Sequence, residues 1–405
     1  MSGECRPGAA TAAVRAGIAT DAHHGAVVPP IHLSSTFAFD GYNGKRTYDY
    51  TRSGNPTRDL LAAALAELEG GEGAIVTSSG MSAVALVLQL LRPGDLLVAP
   101  HDCYGGSYRV MLALASKGHF DVVFIDQTDP AQLAAACARR PRIVWVETPS
   151  NPLLRITDLS LAARLCQQAG ALLVADNTFL SPALQRPIQL GADVVVHSTT
   201  KYLNGHSDVV GGAVIARDTA LNEELGWWAN CLGITGAPFD SFLTLRGVRT
   251  LHARMTVHLA NAVAVVDTLR RHHTVARVHY PGLPAHPGHE LAARQQSGFG
   301  GMVSFELHGG EPAVRTFLGG LRWFTLAESL GGVESLIAHP ATMTHASMDA
   351  EARARAGIGA GLLRVSVGIE AASDLTRDLE EALERASHAV SWERSETVRT
   401  VARAG

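Results

Sequence analysis

Between about residues 61 and 260 the chain repeats one pattern. A short, nearly continuous run of apolar and β-branched residues is followed by a longer stretch with apolar positions at helical spacing. The apolar runs fall at 95–100, 121–126, 142–147, 171–176, 193–197 and 212–216. Helical stretches at 81–91, 107–117, 130–139 and 159–169 lie between them. Strands that are apolar on both faces and separated by helices predict a mostly parallel sheet covered on each side. The turn Arg92-Pro93-Gly94-Asp95 joins one such helix to the next strand.

Outside this segment the pattern changes. Residues 1–60 are rich in Gly, Pro, Tyr and Thr and sustain no period. They predict an extended arm with little core of its own, packed against a neighbouring subunit. Beyond 260, a helical stretch at 257–271 leads into a Pro/Gly-rich passage at 280–288. Strand-like runs at 301–307 and 362–368 follow, with helices around 312–318 and 374–389. This predicts a smaller α+β domain over 261–405 beside a large domain over 61–260. No repeat of solenoid length recurs.

Composition narrows the class. With 46% hydrophobic and 18% charged residues over 405 positions, the chain reads as globular and long enough for two cores. The net charge of −4 comes without any dense basic block, which argues against nucleic acid or an anionic membrane as partner. Apolar runs are far shorter than a membrane span, and the N-terminal octet lacks the basic-then-apolar order of a secretory signal. A cytoplasmic location is the resulting expectation. The five cysteines (Cys5, Cys103, Cys137, Cys166 and Cys231) are scattered, which fits a reducing compartment. Histidines at 23–24, 272–273 and 286–289 lack metal-ligand spacing, so no metal is expected.

The chemistry lies at strand ends, because ligands of open α/β sheets bind beyond the carboxyl ends of the strands. One run ends in Asp176-Asn177-Thr178 and the next in His197-Ser198-Thr199-Thr200-Lys201. Asp176 and Lys201 stand 25 positions apart, one helix-plus-strand unit, so both face one crevice. An amine and an acid placed this way suit pyridoxal phosphate. Lysine attaches the cofactor through its aldehyde and later shuttles protons, and the carboxylate keeps the ring nitrogen protonated. The plainer alternative is a helix-capping aspartate and a solvated turn lysine.

A phosphate site accompanies them. The segment from Thr77 to Ala83 places small hydroxyls and Gly80 before an apolar helix, where free N–H groups and the helix dipole favour an anion. Met81 lies in the same turn, and Ser198 and Thr200 add hydroxyls. A simple N-cap is the competing reading. Neither G-x-x-x-x-G-K-[ST] nor a strand-linked G-x-G-x-x-G is present, which disfavours nucleotides. Tyr104, just past a strand end, can stack on a ring or pack within its loop. Arg364 interrupts the apolar run Leu362-Leu363-Arg364-Val365-Ser366-Val367. If buried it needs an anion such as a substrate carboxylate, and on an edge strand it would face water.

Together these segments resemble the cysteine/methionine-metabolism family of pyridoxal-phosphate enzymes, from about residue 16 to 389. The resemblance is carried by Tyr50 to Thr57 (YTRSGNPT), Ser79-Gly80-Met81, Asp176-Asn177-Thr178 and His197 to Asp208 (HSTTKYLNGHSD). It implies an α/β fold of type I, similar to aspartate aminotransferase, with an N-terminal arm and a small C-terminal domain. The segments His101 to Arg109, Trp227 to Asn230, Phe239 to Phe242, Ala327 to Leu336 and Met343 to Ala346 resemble members that perform γ-replacement. Those members join an O-acyl-L-homoserine, expected to be O-succinyl, to L-cysteine and so form cystathionine in methionine biosynthesis. Leu330 stands where β-cleaving relatives tend to have tryptophan, and Gly106 where methionine γ-lyases tend to have cysteine. A γ-lyase that cleaves cystathionine to cysteine, 2-oxobutanoate and ammonia is the alternative. Ser53 stands where some γ-replacement members carry a second arginine, which leaves the acyl group open.

The resemblance also implies roles. Lys201 carries the cofactor, Asp176 pairs with its ring nitrogen and Tyr104 stacks on it. Gly80, Met81, Ser198 and Thr200 hold the phosphate, with Tyr50 and Arg52 arriving from a neighbouring subunit. Lys201, Tyr104 and Tyr50 are the expected catalytic residues. Arg364, Ser329 and Asn151 hold the substrate carboxylate or orient the imine, and Asp49, Arg109, Asn230 and Glu328 line the distal region. A homotetramer with sites shared across a dimer interface is implied as well.

Overall fold

The computed structural model describes residues 7–346 and 348–387. The expectations for Cys5, for most of the N-terminal octet and for the stretch after 387 lie outside the described residues.

The alternating segment forms seven strands: β1 (Gly73–Thr77), β2 (Leu96–Pro100), β3 (Asp121–Ile125), β4 (Ile143–Glu147), β5 (Leu172–Asp176), β6 (Val194–His197) and β7 (Gly212–Ala216). Their order is β1-β7-β6-β5-β4-β2-β3. β7 runs against both its neighbours, and the remaining pairs are parallel. Burial follows position. Every residue of β4, β6 and β7 is buried, whereas the edge strand β3 is partly exposed. This matches strands covered on both faces. One face packs Leu97, Trp145, Val174 and Val196 against helices Gly80–Val87 and Gly105–Ser116, the latter through Met111. The opposite face packs Val195, Ala213 and Ile215 against helix Pro56–Glu69.

That helix starts where its sequence dictates. The Asn55 side chain accepts from the Thr57 and Arg58 N–H groups, Pro56 occupies the first turn, and Gly70 closes the helix at φ +81°. The segment before it has one isolated bridge, Thr36 to Tyr50, and exposes Val27, Val28, Ile31, Leu33, Phe39 and Tyr42.

The C-terminal part has its own sheet of β8 (Val275–His279), β9 (Met302–Leu307), β10 (Thr325–Leu326), β11 (Leu336–Ala338) and β12 (Leu362–Ser366), ordered β10-β11-β12-β9-β8. Helix Gly310–Leu318 and the helix at 372–387 cover it, with Phe305 against Phe317 at 5.6 Å. Helix Leu251–Arg271 carries residues of both cores. Leu251 and Met255 belong to the first, and Ala262, Val265 and Leu269 to the second. One rigid rod therefore fixes the two sheets relative to each other. Among the described residues no helix is long and apolar enough to cross a membrane.

The α/β architecture is the one the sequence predicts, with a mostly parallel sheet and a smaller α+β part. The details differ in ways with physical causes. β7 reads the same in either direction, so its antiparallel course carried no signal. β8 has no buried residue, and β10 and β11 have only two and three residues, too few to show alternation.

Candidate active site

Strands β4, β5 and β6 end side by side, and a cavity of about 680 Å³ opens at those ends. Asp176 and Lys201 both line it. Asp176 is the last residue of β5, and one of its oxygens accepts the Thr178 N–H at 2.9 Å. The Thr178 hydroxyl in turn accepts the Ser198 N–H at 2.9 Å. Thr178 thus locks the acid to the loop that carries the lysine. Burial pushes the Asp176 carboxyl above its usual range, opposed by the Thr178 hydrogen bonds and the nearby His197.

Lys201 sits four residues beyond β6 in a turn closed by Lys201 N–H to Ser198 O at 3.2 Å and Gly205 N–H to Lys201 O at 2.8 Å. Its Nζ donates to Ser329 Oγ at 2.6 Å, across to the C-terminal part of the chain. Burial, then the Arg364 charge, lower the amine to about 8, against a raising effect of Glu328. The solvated-turn alternative for Lys201 does not hold. Ser329 has φ +91°, a conformation that costs a non-glycine residue about 1–3 kcal/mol. A Cβ on neighbouring Gly331, at φ +75°, would lie 2.7 Å from the Tyr202 nitrogen, so only glycine fits there. The strained 329–331 segment is thereby pinned onto the lysine turn.

Arg364 lies on β12 between β11 and β9, 3% exposed, so the water-facing alternative is excluded. Its Nη1 donates to Asn151 Oδ1 and its Nη2 to Ser329 O, both at 2.9 Å, and its buried Nε has no partner. Burial lowers this guanidinium to about 10, with Tyr202, Tyr104 and Glu328 acting the other way. Among the described residues no carboxylate pairs with this desolvated cation. Asn151 is braced from behind, because buried His345 donates from Nε2 to its carbonyl at 3.1 Å. Burial and Arg364 lower His345 to about 4, which keeps it the neutral donor this contact uses.

Gly80, Met81, Ser198 and Thr200 line the same cavity. Ser79 caps helix Gly80–Val87 by accepting the Ser82 N–H at 3.0 Å, which leaves the Gly80 and Met81 N–H groups free. A Cβ on Gly80 would lie 2.7 Å from the Ser198 Cβ, so only glycine lets the two segments meet. Tyr104 is 44% exposed at the start of helix Gly105–Ser116, and a Cβ on Gly106 would fall 2.6 Å from its ring. Free N–H groups and hydroxyls at one end, an aromatic face, an acid and a desolvated amine fit pyridoxal phosphate. Arg109 and Glu328 line the exposed part of the cavity.

Tyr50, Arg52, Asp49 and Asn230 do not line this cavity. They form a separate exposed group, in which Arg52 Nε donates to Asn230 Oδ1 at 3.1 Å. Asp49 pairs with Lys45 at 3.0 Å and accepts the Ser53 hydroxyl at 2.8 Å. Lys45 first, then Ser53, hold the Asp49 carboxyl down at about 2. Sequence reasoning missed Glu147, Thr178, Met343 and Thr344, all of which line the cavity. Glu147 closes an apolar run, the same signal that marked Asp176.

The profile of the family described as Cys/Met metabolism PLP-dependent enzyme matches residues 10–384. The chain is 59% identical over 379 residues to cystathionine gamma-synthase of Escherichia coli (strain K12), covering 93% of this chain and 98% of that one. It is 65% identical, with a TM-score of 0.94, to a crystal structure of cystathionine gamma synthase from Xanthomonas oryzae pv. oryzae in complex with cystathionine, covering 95% and 100%. A cystathionine gamma-lyase from Lactobacillus plantarum complexed with L-serine is similar at 41% identity and a TM-score of 0.91, covering 94% and 100%. A match over most of the chain, a shared fold and a cavity built for pyridoxal phosphate agree that this chain belongs to the Cys/Met metabolism PLP-dependent enzyme family.

Proposed function

We propose that the chain is a PLP-dependent transferase that replaces the acyloxy group of an O-acyl-L-homoserine, O-succinyl by preference, with the sulfur of L-cysteine to give L-cystathionine. The observation that carries this reading is a cavity lined by one buried and one exposed arginine. Arg364 is buried near Lys201, and Arg109, which lines the same cavity, is exposed. A substrate with carboxylates at both ends, as O-succinylhomoserine has, satisfies both. The names of the related synthases support the same reaction.

Bound pyridoxal phosphate supplies the electron sink for the pair released at Cα. The chain's own residues do the rest. Arg364, held by Asn151 and Ser329, grips the α-carboxylate and fixes the Cα–H direction. The Lys201 amine, lowered to about 8, takes that proton and returns it later. Asp176 keeps a proton on the ring nitrogen. The acyloxy group leaves from Cγ as a carboxylate, and the cysteine thiolate forms the new bond there. Arg109 and Glu328 order the distal groups.

Product analysis tests the reaction. O-Succinylhomoserine with cysteine is expected to give cystathionine and succinate, with acetyl and phospho analogues slower. Cystathionine alone turning over faster than the coupled reaction, with 2-oxobutanoate and ammonia released, would favour the γ-lyase reading instead.

The same proposal includes a cytoplasmic homotetramer built from dimers with shared sites. The arm, through about residue 60, serves a neighbour, residues 61–260 carry the cofactor, and 261–405 form the small C-terminal domain. In support, the arm exposes large apolar side chains, and Tyr50 and Arg52 stand outside their own chain's cavity. In the neighbour they reach the phosphate, and Asp49 and Asn230 the distal region. Mixing Arg52→Ala protein with Lys201→Ala protein is expected to restore about a quarter of wild-type activity through hybrid sites. No recovery after verified subunit exchange contradicts shared sites, and activity found in a membrane fraction contradicts the location.

A further inference from the structure

Beside Asp176 lies a second carboxyl group that the reaction does not use. Glu147 ends β4, is the register partner of Asp176 on β5, lines the same cavity and is 7% exposed. Its Oε2 accepts the Tyr104 N–H at 2.8 Å, and its Oε1 accepts the Trp145 indole N–H at 3.3 Å. Tyr104 occupies the N-cap position of helix Gly105–Ser116 without a side-chain cap, so Glu147 fastens the backbone of the ring-stacking residue.

The groups facing Glu147 are acidic or neutral. Asp176 approaches from β5, and Asp102 and Cys103 from the segment before the helix. Asp102 is itself engaged, accepting the Ser150 hydroxyl at 2.6 Å with Arg155 at 3.8 Å. Among the described residues no Lys, Arg or His pairs with Glu147. Two desolvated carboxyls on adjacent strand ends, about 5 Å apart at their backbones, do not both ionise without a cation between them.

We propose that Glu147 is a positioning residue, a neutral carboxyl group that fixes Tyr104 over the cofactor ring and leaves Asp176 as the one anion at the ring nitrogen. The proposal rests on the pyridoxal-phosphate reading of the cavity. Burial first, and then Asp176, push the Glu147 acid up to about 8, in keeping with a retained proton. An acid with a folded-state pKa above its unfolded value contributes stability that is complete below about 4.3 and is lost as pH rises through about 8.

The test uses full-length Glu147→Gln and Glu147→Ala proteins, prepared with and without cofactor. Glutamine keeps the shape and the acceptor oxygen but cannot ionise. In cofactor-free protein, the Tm of E147Q relative to wild type is expected to climb by about 2 °C or more between pH 5 and 8 and then level off. Pyridoxal phosphate titration, followed by absorbance, is expected to show E147A binding at least about tenfold more weakly than E147Q, because alanine frees the Tyr104 N–H. A Tm difference that stays flat with pH, or equal cofactor affinities for the two variants, overturns the proposal. Failure of wild type to bind pyridoxal phosphate would instead sink the underlying reading of the cavity, so the two failures are distinguishable.

Discussion

Replacing Lys201 by alanine is expected to lower kcat for cystathionine formation by roughly 10⁴-fold, because in the proposed reaction one side chain supplies both the covalent attachment and the proton transfer at Cα. The structure explains why this amine is ready to act. It is desolvated, it faces the Arg364 cation, and its hydrogen bond to Ser329 Oγ aims it across the cavity at 2.6 Å. These effects bring it to about 8, so a useful fraction is uncharged near neutrality. The same lowering has a stability signature with the opposite slope to that of Glu147. A base whose folded value lies below its unfolded value of about 10.4 binds fewer protons in the native state between those limits, so stability rises with pH from about 8 to about 10.4. Cofactor-free Lys201→Met protein lacks that rise, and its Tm below pH 8 is at least that of wild type. Kinetics and melting of the two variants check both statements. A kcat within about 100-fold of wild type, or loss of fold in Lys201→Met, would count against a purely chemical role for the residue.

The two halves of the site differ in how far the sequence revealed them. Asp176 and Lys201 were legible because each follows an apolar run in a parallel sheet, and in such sheets chemistry collects at the carboxyl ends. Gly80 was legible from the small residues before an apolar helix. Glu147 carried the same strand-end signal, yet it was read only as the close of a strand. Nothing local says that it meets Asp176, since their contact depends on β4 and β5 being neighbours. Thr178 and His345 act through partners at positions 198 and 151, which no spacing rule connects. Arg364 was visible as a charge in an apolar run, but its burial depends on β11 and β9 flanking it, and β11 has only three residues. Tyr50, Arg52, Asp49 and Asn230 carry motif information without folding information. Their expected destination is another subunit, and within one chain they stand outside the cavity, among Lys45, Ser53 and one another.

The second large effect belongs to Arg364. Its substitution by alanine is expected to lower kcat/KM by roughly 10²–10⁴-fold, mainly through KM, since breaking a buried ion pair costs about 3–5 kcal/mol. Two of its donors are already committed to Asn151 and Ser329, and the buried Nε remains for a ligand. Lysine does not rescue the loss, because a point charge does not reproduce the planar fork that holds Asn151 and a carboxylate together. A smaller fall in kcat accompanies the rise in KM. Arg364 is one of the charges that keep the Lys201 amine low, so removing it raises that amine and leaves less of it uncharged at neutral pH. Folding responds in the other direction. The protein keeps a guanidinium, lowered to about 10, in a place that disfavours its charge and, among the described residues, with no carboxylate partner. A residue kept for stability would not be built that way, whereas one awaiting a substrate carboxylate would. Cofactor-free Arg364→Met protein should therefore melt no lower than wild type while its KM for the acylhomoserine rises at least about 100-fold. A KM within about threefold of wild type would remove Arg364 from substrate recognition, and with it the reason the cavity carries a buried cation.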